Sequence, residues 1–113
     1  MIFQTELKSS VNCIAWAPFE YGLILAAGTI DGRISVFNYN KKDGAWTSSD
    51  FVGHFESVNG LSWAPAPLQL SQQKGGQIDS KDLNQLSKRL ASCGNDKLVK
   101  IWEFKVGESQ PNP

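Results

Sequence analysis

Three side chains in this sequence are, by type, able to perform hydrolytic chemistry. His54, Ser92 and Asp96 are the components of a Ser-His-Asp triad, in which an imidazole removes the serine proton and a carboxylate orients the imidazole. Such enzymes often present the serine on a G-x-S-x-G turn. This sequence contains neither that turn nor a glycine-rich phosphate loop. We therefore predict that the chain is not an enzyme.

Metal binding is the second chemistry to consider, because the sequence has one histidine and two cysteines. Cys13 and Cys93 lie far apart in the sequence, and neither belongs to a C-x-x-C pair. One histidine and two distant cysteines do not supply the four ligands of a structural zinc site. We predict no metal and no other cofactor, and we interpret both cysteines as small buried thiols in a reducing compartment.

The charge and the apolar pattern limit the remaining function classes. The 11 basic and 11 acidic residues cancel, so no net field draws the chain to nucleic acid or to an anionic membrane surface. The sequence has no apolar run of about 18 residues for a membrane span, and its start at Met1 does not have the pattern of a signal peptide. We therefore predict a cytoplasmic location and no direct nucleic-acid partner.

Two copies of one unit position these residues. Residues 10–18 and 57–65 align 47 positions apart, and six of the nine positions are identical, in the pattern Ser-Val-Asn-x-x-x-Trp-Ala-Pro. Residues 25–37 align with residues 90–102, which lie 65 positions later. This offset exceeds the first one by 18, so the second copy contains an insertion of 18 residues. Repeats of this length are typical of propeller and solenoid proteins, whose neighbouring units stack to bury a common core.

Each copy has the pattern of a small antiparallel sheet. Asp31-Gly32 predicts a type I′ hairpin in the first copy, and the run from Leu90 contains the corresponding strand and hairpin of the second. The fold class is therefore all-β, with about seven strands in two sheets and almost no helix. Three tryptophans are interpreted as core and sheet-packing residues, namely Trp16, Trp46 and Trp63. Apart from the run at Leu90, the strands are expected at 11–16, 23–29, 33–39, 45–52, 58–63 and 98–104.

The insertion at 66–87 is rich in glutamine, serine, lysine and aspartate, which predicts a mobile surface loop. Near its end, Leu83, Leu86 and Leu90 recur at helical spacing after Ser80, a suitable N-cap. Short helices are marginal without packing. This segment is therefore expected to be either a docked helical turn or a disordered loop.

The second copy lacks a counterpart of the last strand of the first. By the alignment that strand would begin near Pro111, so residues 105–113 are expected to form a disordered tail. The preceding strand would then be an uncovered edge that could pair with another strand. The residues expected along this edge are Leu98, Val99, Ile101 and Phe104.

The Gly53-His54 pair and the run that ends in Lys-Ile-Trp102 resemble a WD-repeat β-propeller. A closer resemblance, to the third and fourth blades of the secretory-thirteen family, is carried by Glu20-Tyr-Gly-Leu-Ile-Leu-Ala27 and Asp31-Gly-Arg-Ile-Ser. These are the small propeller subunits of the COPII outer coat and of the Y-shaped nuclear pore subcomplex. The resemblance implies about two blades of a six-bladed open propeller, at 1–52 with a clipped start and at 53–104, and we expect the chain to be a fragment.

The resemblance also assigns roles to the polar residues considered first. His54, Ser92, Asp96 and Trp102 match the hydrogen-bonded tetrad that ties the loop, second strand, hairpin and third strand of a WD blade together. The first blade keeps only Asp31, with Ala27 and Phe37 at the serine and tryptophan positions, so its network is expected to be reduced.

As implied by the resemblance, the function is a noncatalytic scaffold of the COPII vesicle coat and of the nuclear pore. The implied partners are helical-solenoid coat or nucleoporin subunits that donate a blade, together with the missing propeller blades in cis or in trans. The implied locations are COPII vesicles at ER exit sites, with only peripheral membrane contact through the coat, and the pores of the nuclear envelope. Two alternatives are a generic WD-repeat adaptor that binds peptides on the propeller face and a nonfunctional truncated copy.

Overall fold

The computed structural model describes residues 3–65 and 87–105, which form seven strands in two antiparallel sheets. This confirms the predicted all-β class. Within these residues the only helical element is a 3-10 turn at Phe19–Tyr21. The strands are β1 (Val11–Trp16), β2 (Ile24–Thr29), β3 (Arg33–Asn40), β4 (Ala45–Val52), β5 (Val58–Trp63), β6 (Ser87–Gly94) and β7 (Val99–Lys105).

The first sheet contains four strands in the order β1-β2-β3-β4, so each strand pairs with its neighbour in sequence. Strands β2 and β3 are in its centre, and their residues are buried on both faces from Ala26 to Thr29 and from Ile34 to Phe37. This explains the continuous apolar run of β2, because a strand covered on both sides has no solvent face to carry polar residues. Strand β4 is more exposed and more polar, as an outer strand should be.

The second sheet repeats the first three strands in the order β5-β6-β7. Strand β6 begins at Ser87, so the end of the segment with helical leucine spacing is extended and Leu90 is a buried strand residue. A docked helical turn, one of the two alternatives for this segment, is therefore wrong from Ser87 onward, because pairing of β6 with β5 and β7 outweighs the local spacing. Leu83 and Leu86, with the rest of the predicted loop, lie outside the described residues, as does the predicted tail beyond Lys105.

A single apolar core joins the two sheets. Phe51 of the first sheet packs its ring on Trp102 and Phe104 of the second, at centroid distances of 4.9 and 6.3 Å. Trp63 contacts Phe104 at 5.7 Å, and its indole N–H donates to the carbonyl of Ala15 in β1 at 3.0 Å. The sheets therefore pack face to face, with Trp63 at the end of β5 and Trp102 in the middle of β7 at the contact.

The hairpins β2–β3 and β6–β7 share one turn geometry, and it is not type I′. The N–H of Gly32 donates to the Thr29 carbonyl, and the N–H of Lys97 donates to the Gly94 carbonyl, each at 3.2 Å. Gly32 has φ +92° and Lys97 has φ +70°, and Lys97 is the only described non-glycine residue with positive φ. A type I′ turn needs positive φ at both central residues, so the prediction for Asp31-Gly32 is wrong. The left-handed residue is instead the last residue of a three-residue loop, at 30–32 in the first hairpin and 95–97 in the second.

Lys97→Gly should leave stability unchanged or raise it by up to about 1 kcal/mol. Glycine removes a left-handed strain of about 1–2 kcal/mol but adds about 0.5–1 kcal/mol of unfolded-state entropy. Urea denaturation of the variant beside wild type measures the difference. Lys97→Ala is the matched control, because it retains the strain and should resemble wild type. A Lys97→Gly chain that is clearly less stable than Lys97→Ala would contradict the assignment of strain to this residue.

Candidate functional site

Four separate elements bring the predicted tetrad residues together. His54 lies in the link between β4 and β5, Ser92 in β6, Asp96 in the β6–β7 hairpin and Trp102 in β7. Strand pairing sets the positions of Ser92, Asp96 and Trp102, because β6 and β7 run antiparallel and are joined by a turn at residues 94–97. The link that carries His54 is fixed on the first sheet, where the N–H groups of Gly53 and His54 both donate to the carbonyl of Gly32, at 2.9 and 3.0 Å.

The four side chains form one continuous chain of hydrogen bonds. Nδ1 of His54 lies 3.0 Å from each carboxylate oxygen of Asp96, and Nε2 lies 2.8 Å from Oγ of Ser92. The indole N–H of Trp102 donates to the same Ser92 oxygen at 2.9 Å. His54, Ser92 and Trp102 are all buried. These are the four residues that the family resemblance assigns to the tetrad, and the structural role of the network remains a prediction.

One placement of protons uses every group in the network. The Trp102 N–H donates to Ser92, the Ser92 hydroxyl donates to Nε2 of His54, and Nδ1–H of His54 donates to Asp96. The imidazole is then neutral, and the tautomer is assigned from its partners. Buried polar groups that are fully paired fix a single arrangement of the elements that carry them, because each broken bond would leave an unpaired group.

Asp96 is held by backbone as well as by His54. The N–H of Phe55 donates to Oδ2 at 3.1 Å, and the N–H of Leu98 donates to Oδ1 at 3.2 Å. Burial of the Asp96 carboxyl opposes its ionisation, but the hydrogen bonds from Phe55, His54 and Leu98 outweigh burial and lower its pKa. Asp96 therefore joins the His54 link to the β6–β7 hairpin as a carboxylate.

Acidification should weaken the fold through Asp96. The folded state binds fewer protons than the unfolded state here, so the stabilisation is complete above the unfolded pKa of about 3.9 and is lost as pH falls through the lower folded pKa. Denaturant midpoints measured between neutral pH and pH 3 should fall more steeply for wild type than for Asp96→Asn, which cannot ionise. Equal slopes for the two proteins would contradict this prediction. Asp31 contributes an acid slope of the same sign to both proteins, because its pKa is also lowered.

The arrangement is unsuited to hydrolysis. The Ser92 oxygen faces His54 on one side and the Trp102 N–H on the other, inside the protein. A serine nucleophile needs an exposed oxygen and an adjacent site for the reacting carbonyl. Ser92 of β6 is instead hydrogen-bonded to Trp102 of β7 and to His54 of the β4–β5 link.

The first sheet has apolar residues at three of the four network positions. By the alignment, Leu7, Ala27 and Phe37 stand at the positions of His54, Ser92 and Trp102. Asp31 remains, and it accepts a hydrogen bond from the Thr29 hydroxyl. That bond, followed by one from Ser9, lowers the Asp31 pKa. Asp31 is nevertheless exposed and has no histidine partner.

Lys100 is a member of the site that the sequence analysis missed. Its ammonium donates to the Gly53 carbonyl at 2.8 Å and lies 5.6 Å from the centre of the Trp102 ring. It also lies 6.0 Å from the ring centre of Phe55, a largely exposed side chain of the His54 link. Lysines on strands usually face solvent, so this contact could not be predicted from the residue type or its position.

Several side chains lie elsewhere than the sequence predicts. In the predicted pairing edge, Leu98, Val99 and Ile101 are exposed, whereas Phe104 is buried because it faces the first sheet. Trp16 was expected in the core but is largely exposed. Cys93 was interpreted as buried and is exposed, and Cys13 is half-buried, where burial raises the pKa of its thiol.

Residues 3–65 and 87–105 contain no group of three or more His, Cys, Asp or Glu side chains that could hold a metal ion. No helix in this part of the chain is long and apolar enough to cross a membrane.

Comparison with known proteins relates this geometry to a family. The family model for the WD domain, G-beta repeat, matches residues 2–38 and 76–103. The protein transport protein SEC13-2 of Candida glabrata is 45% identical over 99 residues, which cover 86% of this chain and 30% of that protein. SEC13 of Mycosarcoma maydis is 43% identical over 102 residues, covering 85% of this chain and 28% of that protein. SEC13 of Coccidioides immitis is 38% identical over 104 residues, which cover 91% of this chain and 32% of that protein. The chain thus spans about 30% of the length of these curated relatives.

Proposed function

The chain belongs to the WD-repeat family, and from this premise we propose that it provides two blades of a noncatalytic propeller scaffold in protein transport. The observation that carries the proposal is the identity of 38–45% to protein transport proteins of the SEC13 group over most of the chain. The enclosed position of Ser92 supports a structural network rather than a catalytic one. The blades are assigned as before to residues 1–52 and 53–104.

The proposed partners are helical-solenoid subunits of the COPII coat and of the nuclear pore, which would donate a strand or blade to a propeller containing this chain. Extensive exposed sheet surface supports partner binding, because Val99 and Ile101 project from β7 and Trp16 projects from β1. The proposed locations are ER exit sites and the pores of the nuclear envelope, where the chain would meet membrane only through the coat.

Affinity purification of the tagged chain from cells tests the scaffold proposal. Mass spectrometry should identify large helical-solenoid coat or pore subunits, enriched over cells that produce the tag alone. Fluorescence microscopy should place the tagged chain at ER exit sites or at the nuclear envelope. Recovery of ubiquitin-ligase or signalling components, with no coat or pore subunit, would contradict the proposal.

A second candidate function is a peptide-binding adaptor, and one observation favours it. Phe55 is 85% exposed beside the ammonium of Lys100, on a link that the buried network holds in place. A rigid exposed aromatic next to a cation is a suitable anchor for an acidic or aromatic peptide. Phe55→Ala should abolish recovery of adaptor partners but leave recovery of coat subunits unchanged, so this variant separates the two functions.

A further inference from the structure

Lys100 fills a space in the second sheet that has an open counterpart in the first. The contacts of its ammonium with the Gly53 carbonyl and with the rings of Phe55 and Trp102 all come from its own sheet and from the link. By the alignment, the residue at this position in the first sheet is Ser35, whose side chain is much shorter. Ser35 lines a cavity of about 230 Å³. The two copies of the unit therefore differ in whether a lysine occupies this space.

The cavity lies between the first sheet and the segment at residues 5–9. That segment lines one side, and Ser35 and Phe37 of β3 line the other. By the 47-residue offset, the counterpart of the segment is the link at 52–56, which carries the carbonyl that Lys100 contacts. Both walls of the cavity are thus formed by this chain, as both walls of the Lys100 space are.

The segment at 5–9 and the link enter their sheets in the same way. The N–H of Ile30 donates to the Ser10 carbonyl at 3.0 Å, and the N–H of Asn95 donates to the Ser57 carbonyl at 2.9 Å. By the alignment, these two bonds join corresponding residues of the two copies. The Lys100 space is therefore a valid template for an occupant of the cavity.

The cavity offers an apolar wall and an unpaired polar group. Leu7 and the buried Phe37 contribute the apolar part, and Phe37 stands at the position of Trp102. Ser35 is 5% exposed, and among residues 3–65 and 87–105 its hydroxyl has no hydrogen-bond partner. Buried hydroxyls are normally paired. The Ser35 hydroxyl is therefore available to a polar group that enters the cavity.

The charges around the cavity favour a cation. Three acidic residues line it, namely Glu6, Asp31 and Asp50, against two basic ones, Lys8 and Arg33. The Arg33 guanidinium already lies 3.3 Å from the Asp50 carboxylate and 4.0 Å from that of Asp31. An anion would meet an excess of carboxylates, whereas an ammonium would be attracted by them.

We propose that this cavity binds a lysine side chain of a partner protein, in the place that Lys100 fills in the second sheet. The alkyl stem would pack on Leu7 and Phe37. The ammonium would donate to the Ser35 hydroxyl and to the backbone carbonyl of Glu6, the counterpart of Gly53. This site goes beyond the proposed transport function and does not rest on it, because binding is measured on the purified chain alone.

Titration of the isotope-labelled chain with Nα-acetyl-lysine methylamide, followed by amide chemical shifts, tests the inference. Saturable shifts are expected at Leu7, Ser35 and Phe37, with a dissociation constant of about 1 mM for a ligand of this size. Nα-acetyl-norleucine methylamide has the same stem without the ammonium, and it should bind at least about tenfold more weakly. Equal binding of the two compounds, or the absence of saturable shifts at these residues, would overturn the inference.

Ser35→Lys gives the chain its own occupant for the cavity. The introduced stem would fill the space as Lys100 does in the second sheet, so saturable binding of the capped lysine should be lost. Circular dichroism should match wild type. Thr47→Lys is the matched control, because it adds the same charge at an exposed position of β4 that does not line the cavity, and it should bind like wild type.

Two results with these variants would count against the site. They are a folded Ser35→Lys chain that still binds the capped lysine, and loss of binding in Thr47→Lys as well, which would indicate a general effect of charge. If Ser35→Lys does not fold, the comparison of the lysine and norleucine compounds on wild type decides the question.

n-Butylammonium chloride distinguishes a protein lysine from a free amine. It has the same ammonium and stem but lacks the main-chain amides of the capped lysine. The capped lysine should bind more tightly, because its amides can pair with polar residues at the cavity, such as the exposed Ser48. Equal or tighter binding of n-butylammonium would assign the cavity to free amines and would overturn the partner lysine as its occupant.

Discussion

Gly32→Ala should destabilise the chain by more than about 3 kcal/mol, because two separate costs add at this position. Gly32 has φ +92°, a conformation that costs an alanine about 1–2 kcal/mol. The added methyl group would also lie 2.0 Å from the carbonyl oxygen of His54 and 2.9 Å from that of Glu56. Relief by movement would break the two hydrogen bonds that the Gly32 carbonyl accepts from Gly53 and His54.

Gly22→Ala separates these two costs. Gly22 has a similar φ of +96°, but an added methyl group there would have no neighbour within 4 Å. With ψ −168°, Gly22 lies in an extended region that is essentially open to glycine alone, so Gly22→Ala should cost about 1–3 kcal/mol of backbone strain and nothing for contact. Urea denaturation of both variants measures the difference. Equal losses for Gly22→Ala and Gly32→Ala would show that the approach of the β2–β3 hairpin to the His54 link contributes nothing to stability.

His54→Ala should cost about 1–3 kcal/mol, the second largest effect we expect. The substitution leaves Ser92 without an acceptor for its proton and removes the side-chain donor of Asp96, both inside the protein. Denaturant unfolding followed by tryptophan fluorescence is suitable, because Trp102 belongs to the network and reports its loss. Unchanged stability in His54→Ala would contradict the proposed structural role of the network.

The first sheet supplies a sharper control for the same prediction. Its own side chains at the histidine, serine and tryptophan positions are Leu7, Ala27 and Phe37. A chain with His54→Leu, Ser92→Ala and Trp102→Phe together would match that apolar set and leave no unpaired polar group among the three. It should lose less stability than the sum of the three single variants, because replacing all partners of a hydrogen-bonded group is cheaper than removing one. Strictly additive losses would indicate packing effects alone.

Much of the fold was predictable because its signals are local or repeated. Alternating and continuous apolar runs, stopped at residues such as Pro18 and Gly22, predicted the strands to within about two residues at most ends where a bound was given. The alignment at 47 and 65 positions then related the two sheets and, with the family resemblance, pointed to His54, Ser92, Asp96 and Trp102. These four are up to 48 positions apart, yet the pairing of β6 with β7 and the position of the β4–β5 link bring them together.

The tertiary structure alone decided which face of each strand is covered. Trp16 and Trp63 have the same sequence context, but Trp63 meets the first sheet and Trp16 meets solvent. The alternation of side chains along a strand assigns each residue to one of the two faces of its sheet. It does not show which face another sheet covers, since that depends on the order in which the sheets stack. The buried Phe104 and the exposed Cys93 follow from the same stacking, as does the close approach of Gly32 to His54, because all three depend on contacts between segments distant in the chain.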